Sequence, residues 1–246
     1  CPRCGTALSS HELAQGYDDV KDISLYVKFK VRGQENTYLV AWTTTPWTLP
    51  GNIALAVGKD FDYVEVKVGN EILVLAKDKL PILTEPYEVL AEHKGKEMVG
   101  MEYEPLYDYL EDSILAFELP GKEKAFKVYT ADFVNMEDGS GIVHTAVMYG
   151  QDDFELGKNI GLPKYHLVLE DGCYKTIQRL QNDQESNMKF LSGRSVGEEN
   201  TAVEILKDLQ VRNLLLKKES HIHPYPFCWR CKTRLIYYAR DSWYIR

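Results

Sequence analysis

The segment Trp42-Thr43-Thr44-Thr45-Pro46-Trp47-Thr48-Leu49-Pro50 decides how the chain is read. An apolar entry, Tyr38-Leu39-Val40-Ala41, leads into it, and an apolar run over 53–57 leaves it. This spells a strand in, a loop punctuated by prolines, and a strand out. Four threonine hydroxyls and two indoles are gathered in the segment. Short hydrogen-bonding groups between flat aromatic walls suit a small pocket for a polar ligand with an apolar side chain. An edge strand ending in a Pro-rich turn fits the same residues equally well.

Working outward, residues 24–31 alternate, with Leu25, Val27, Phe29 and Val31 on one face; Gly33 and Asn36 then turn the chain back into 38–44. That pattern predicts a hairpin. A second hairpin is expected over 62–68 and 71–76 around Gly69-Asn70, with strand-like pieces over 87–90, 94–103, 125–129 and 141–147. The texture changes after Gly150. Residues 152–160 read as a helix stopped by Gly161 and Pro163. Thr201-x-x-Glu204 resembles a capping box before Ala202, Ile205, Leu206 and Leu209 at helical spacing. Residues 178–193 are polar and poorly patterned, as a surface loop would be. The expected class is a mixed, β-rich α/β fold, barrel-like, with peripheral helices.

At 246 residues, 44% hydrophobic and 27% charged, the chain can bury a full core. It contains no apolar run of membrane-spanning length and opens with no signal peptide, so a cytoplasmic monomer is expected. A net charge of -8 argues against a protein that coats nucleic acid. Receipt of a single nucleic-acid end remains compatible with it, and residues 217–234 are locally basic. Four of the five cysteines form two Cys-x-x-Cys pairs, Cys1/Cys4 and Cys228/Cys231. Four thiolates so arranged make a tetrahedral structural zinc site, and redox chemistry is the lesser reading. His221 and His223 could replace a thiolate, while Cys173 stands alone. The metal would fasten residues 1–15 and 220–246 into a zinc-ribbon-like base beneath a domain over 16–219. Such a clasp suits an insertion in a larger host, and both ends of the chain read as cut from something longer.

A second cluster runs from Gly139-Ser140-Gly141 through His144-Thr145 to Gly150-Gln151-Asp152-Asp153-Phe154. A strand ends at a histidine, a loop follows, and two carboxylates open a helix, where acids also simply complement the helix dipole. Taken with 43–50 and Asn52, this cluster resembles the editing (CP1) domain of isoleucyl-tRNA synthetases, in the class I aminoacyl-tRNA synthetase family. The run Cys228-Trp229-Arg230-Cys231-Lys232-Thr233, with Tyr237-Tyr238-Ala239-Arg240-Asp241-Ser242-Trp243-Tyr244, resembles the exit of that domain. The resemblance covers essentially the whole chain and is weakest over 85–124 and 178–193. Valyl and leucyl editing domains usually carry Arg where Thr45 stands and lack Trp47. A valyl- or leucyl-type domain, or a non-catalytic zinc-ribbon module binding tRNA, are the alternatives.

The resemblance implies hydrolysis of valine wrongly esterified to the 3′ end of isoleucine tRNA, with valyl-adenylate as a further substrate. One methylene is worth about 1–3 kcal/mol in an apolar pocket, a figure for which isoleucine against valine is itself the standard case. A second site that excludes isoleucine by size therefore adds what binding alone cannot. By the same resemblance, Asp153 holds the substrate α-ammonium and His144 flanks the valine side chain. Trp42, Thr43 and Thr45 complete the pocket wall, and Thr44, Thr48 and Asn52 position the terminal adenosine, the ester or the water. Water attacks an already activated ester, so hydrolysis needs no cofactor. ATP would serve only a synthetic core, whose His-Ile-Gly-His and Lys-Met-Ser-Lys-Ser motifs do not occur in this sequence. The chain departs from many members at Val147-Met148-Tyr149, where they carry Pro followed by Gly-His or Ala-Phe.

Overall fold

The computed structural model describes residues 1–177 and 180–241. The apolar runs flanking the threonine segment form β2 (Thr37–Thr43) and β3 (Ala54–Val57). β2 pairs antiparallel with β1 (Tyr17–Lys30) in the expected hairpin, Leu25 opposite Thr43 and Lys30 opposite Tyr38. The second hairpin joins β4 (Asp62–Val68) to β5 (Glu71–Ala76), turning through Gly69 at φ 57°, where a side chain would be strained. The other strands are β6 (Tyr87–Lys94), β7 (Lys127–Thr130), β8 (Ile142–Thr145) and β9 (Leu215–Pro226).

Together they make one nine-stranded sheet in the order β6-β4-β5-β2-β8-β3-β7, with β1 along the other edge of β2 and β9 along β1. β2 is the hub. Its first half lies parallel to β5, Tyr38 opposite Leu73, and its end meets β8, Trp42 opposite Val143. A strand that changes partners along its length curls the sheet into a half-barrel. Alternation along β2 then sorts side chains to two faces. Leu39 and Ala41 join the main core with Leu25, Val27, Phe29, Leu55 and Tyr103. Tyr38, Val40 and Trp42 belong to a second cluster with Val64, Val66, Leu73 and Leu75. Apolar residues on both faces fix the register, since a slip of one residue would reverse every position.

The helices are α1 (Ser10–Ala14), α2 (Asp108–Ala116), α3 (Gln151–Ile160) and α4 (Glu199–Val211). α3 ends as expected, at Gly161 with φ 82°. Three expectations need correction. The strand-like piece expected over 94–103 is not formed: Lys94 ends β6, and a tight turn over Gly95–Glu97 and isolated bridges at Glu102 and Tyr103 follow. α4 starts at Glu199, so Thr201 is not its cap; its buried hydroxyl donates instead to the Ser195 carbonyl at 2.6 Å. The segment expected as a surface loop carries the buried Met188 and Leu191, and Ser186 bonds Asp108 at the start of α2. Gln178, Arg179 and the motif residues 242–246 lie outside the described residues. Among those described, no helix is long and apolar enough to cross a membrane.

Candidate active site

Pro46 opens a tight 3-10 turn over Pro46–Gly51, where its missing N–H costs nothing and its fixed φ is already suitable. The turn swings Thr48 and Asn52 back toward β8, and a hydrogen-bonded chain results. Tyr103 Oη donates to Asn52 Oδ1 (2.6 Å). Asn52 Nδ2 donates to the Ala54 carbonyl (2.9 Å) and faces His144 Nδ1 (3.0 Å). Both Asn52 amide hydrogens are then used, so His144 Nδ1 is an acceptor and the neutral ring carries its proton on Nε2. Nε2 lies 2.8 Å from Thr48 Oγ1, whose own hydrogen goes to the Thr45 carbonyl at 2.8 Å. Every link has one direction. Burial holds the His144 pKa down at about 3, so the ring stays neutral. A neutral histidine with both nitrogens engaged is a rigid wall and not a proton acceptor.

Asp153 stands in the first turn of α3 and accepts the Ala146 N–H at 2.9 Å through Oδ2. Burial of the carboxyl raises its pKa to about 7, although the residue as a whole keeps partial exposure. The Ala146 N–H opposes that rise and Asp152 adds to it. Oδ1 has no hydrogen-bond partner among the described residues. Gly150 lets the carboxyl fold back, because a Cβ there would stand 2.9 Å from Asp153 Cγ.

Two cavities, of about 530 and 330 Å³, meet at Thr44, Thr45, Trp47, Tyr225 and Ile236. Thr43, Thr48, Asn52, His144 and Asp153 line neither; the first four are buried and form the support behind the Thr44–Thr45 surface, while Asp153 stands in the opening turn of α3. Thr43 Oγ1 accepts the Thr45 N–H (3.0 Å), which fixes the bend. Trp42 is not brought to this group. It sits on the opposite face of the sheet, its ring perpendicular to that of His221 with centroids 5.4 Å apart, and packed against Gly139. The alternation of β2 was the available signal, since neighbours 42 and 43 must face apart. Tyr103 and Tyr225 are the residues that sequence reasoning missed, whereas Trp47 is one of the two aromatic walls it expected. Tyr103 lies 51 positions from its partner Asn52, a relation no local pattern carries.

No family model matches the chain. It is 47% identical to the isoleucine–tRNA ligase of Clostridium tetani, 49% to that of Clostridium acetobutylicum and 42% to that of Bacillus thuringiensis. Each match covers the whole chain and 22% of the relative. The chain thus spans about a fifth of the length of these curated relatives. Among solved structures, one described as GlLeuRS-CP1 superposes with a TM-score of 0.59 at 12% identity, covering 80% of this chain and 99% of that one. The P. knowlesi cytosolic leucyl-tRNA synthetase editing domain gives 0.54 at 11%, covering 85% and 98%. The chain shares its fold with these CP1 editing domains and, along its whole length, its sequence with a segment of isoleucine–tRNA ligases.

The departure at Val147-Met148-Tyr149 is absorbed within this CP1 fold. Tyr149 Oη accepts the N–H groups of Leu167 (2.7 Å) and Val168 (2.9 Å), and its ring meets Trp47 at 5.3 Å. The CP1 base is also assembled. Cys1, Cys4, Cys228 and Cys231 place their sulfurs within 4.8 Å of one another, and all four are free thiols. A ZnS₄ tetrahedron with bonds of about 2.3 Å needs sulfurs roughly 3.8 Å apart, so the donor set fits. Both knuckles turn through a left-handed residue just after the second cysteine, Gly5 at φ 62° and Lys232 at φ 58°. Their N–H groups close the same turn, Gly5 onto the Cys1 carbonyl and Lys232 onto that of Cys228. Thr233 holds the Cys231 thiol down at about 6.

Proposed function

We infer that this CP1 domain is an aminoacyl-tRNA ester hydrolase that removes valine from the 3′ end of isoleucine tRNA. The observation that carries the reading is the directed chain Tyr103–Asn52–His144–Thr48–Thr45 behind the Thr44–Thr45 surface, with Asp153 tied through Ala146 to the end of β8, the strand that carries His144. A pocket backed by a saturated hydrogen-bond chain does not yield, which is what a size filter needs. Valine enters and isoleucine is refused by volume.

In this reading Asp153 Oδ1 takes the substrate ammonium, and that charge draws the carboxyl back to its ionised form. Thr44 and Thr45 orient the ester and the attacking water. The leaving group is the ribose hydroxyl of the terminal adenosine, and valyl-adenylate would enter the same cavity. His144 shapes the pocket. Zinc would be held by Cys1, Cys4, Cys228 and Cys231, where it supplies cross-linking of the base and no step of hydrolysis. We further propose that residues 1–15 and 220–246 form the base joined to a host synthetase, that residues 16–219 carry the site, and that the domain works as a cytoplasmic monomer. β9 runs unbroken through 219–220, so base and domain share a strand.

The deciding experiment is deacylation of valyl- and isoleucyl-tRNA(Ile) by the protein and by Asp153→Ala. Valine is expected to be released preferentially, with at least a hundredfold loss in the variant, in the range of a missing charge-assisted contact. Retained valine hydrolysis in the variant would remove Asp153 from the mechanism. If neither ester is cleaved by the parent protein, the non-catalytic tRNA-binding module becomes the function.

A further inference from the structure

The mouth of the larger cavity is lined by Tyr149, Tyr238 and Arg240 as well as by Thr44 and Thr45. Tyr238 stacks on His166, ring centroids 4.2 Å apart and planes 13° from parallel. The next residue back along the chain, Tyr165, stacks on Phe117 at 5.9 Å and 22°. Phe117 is 64% exposed at the end of α2. The two ring pairs are linked through the neighbouring residues Tyr165 and His166, one pair at the cavity and one at the surface.

Ammonium groups border this run. Lys175 Nζ lies 4.4 Å from the Tyr165 ring centre, and Lys164 Nζ lies 4.5 Å from that of Phe154, the residue after Asp153. Neither lysine has a carboxylate partner among the described residues. Lys124 holds the Ile160 carbonyl at 2.8 Å, which binds the loop after α2 to the end of α3. Over residues 117–124 and 154–165 with Lys175, the lysines are 122, 124, 158, 164 and 175, against the acids Glu118, Glu123 and Glu155. Glu170, at the cavity rim, is faced by Arg240 at 3.8 Å.

Stacking faces with lysines alongside are the chemistry of a single-stranded nucleic-acid path. We propose that the unpaired 3′ strand of the tRNA leaves the cavity over Tyr238 and His166 and seats a base on the exposed face of Phe117, with Lys164 and Lys175 on its phosphates. The proposal rests on the reading of the cavity as the place of the 3′ end. It adds a binding surface outside that cavity, and its partner is a nucleic-acid strand, not a protein.

The test is fluorescence anisotropy with labelled, unacylated isoleucine tRNA, whole and with its unpaired 3′ nucleotides removed, over a salt series. Phe117→Ala, at an exposed position, is expected to weaken whole-tRNA binding about tenfold, the scale of one lost base–aromatic stack. The double variant Lys164→Gln/Lys175→Gln is expected to reduce the slope of log affinity against log salt by about 1.4, for two single-strand phosphate contacts. Both differences should vanish on the shortened tRNA. Unchanged binding in the variants, no measurable binding by the parent protein at low salt, or a difference that survives on the shortened tRNA would overturn the path. Valyl-tRNA deacylation run alongside separates the two readings. Hydrolysis abolished by Asp153→Ala but with KM indifferent to Phe117→Ala leaves the site and removes the path, whereas variant-sensitive binding without ester cleavage does the reverse.

Discussion

His144 has both ring nitrogens engaged by protein groups, whereas the four thiols of the base have only one another and Thr233. The first region is rigid by its own hydrogen bonds, drawn from strands far apart in sequence. The second brings equally distant residues together but leaves the joining to a metal. The proposed size filter would thus be insulated from the element that would answer to metal supply, even though β1 and β9 connect them.

The largest expected effect breaks that comparison directly. Chelating zinc from the metal-loaded protein should release the base, because structural zinc sites carry about 10–16 kcal/mol of apparent binding free energy at pH 7. Amide exchange at Cys228, whose N–H bonds the Thr233 carbonyl, should become fast. That at Ile53, bonded to the Thr145 carbonyl, should stay slow. Equal acceleration at both would show that the site leans on the metal after all.

A smaller effect sharpens the contrast within the site. The folded pKa of Asp153 is raised from 3.8 to about 7, so its contribution to stability is full below pH 3.8 and is lost as pH rises through about 7. Asp153→Asn should therefore be more stable than the parent at pH 8, by up to about 4 kcal/mol, with the gap closing toward pH 4. His144 runs the other way. Its pKa is depressed from 6.5 to about 3, so its contribution is present above pH 6.5 and lost as pH falls through about 3. Urea unfolding of parent and variant across pH reads both slopes, and a pH-independent gap between the two proteins would deny Asp153 its buried, protonated state.

The smallest effect concerns the far end of the chain of hydrogen bonds. Tyr103→Phe removes the donor to Asn52 Oδ1 and leaves that oxygen buried and unpaired, at a cost of about 1–3 kcal/mol. Denaturant midpoints measure it. A neutral outcome would mean that Asn52 is held by Ala54 and His144 alone.

How much of this was legible depended on range. Both hairpins, the helix at 151–160 and each knuckle by itself follow from local spacing, because alternation, turn residues and Cys-x-x-Cys need no distant partner; the pairing of the two knuckles was inferred from their matching form. The strong periodicity of Ile205, Leu206 and Leu209 marked α4, but not its start, since Thr201 spends its hydroxyl on Ser195 inside the protein. α2 passed unnoticed because only Leu110 and Ile114 anchor its apolar side. At the site, Thr43, Thr44, Thr45, His144 and Asp153 stood out as residue types. Which of them line a cavity and which stand behind it depends on the meeting of β2, β3 and β8, and Tyr225 arrives from a strand more than a hundred and fifty residues away.

The ribbon of β1 and β9 runs from Val27 and Leu215 to its open end at Tyr17 and Pro226. Asp22 and Arg234, joined by two contacts of 2.8 Å, brace it midway. Tension applied to its two arms at that open end would meet the ladder in the unzipping direction, where hydrogen bonds fail one at a time. The cysteine clasp lies across the arms just ahead of the first rung, Phe227 onto the Gly16 carbonyl. It would bear the load first, so with metal bound the ribbon behaves as a mechanical strut and without it as a zip fastener left open.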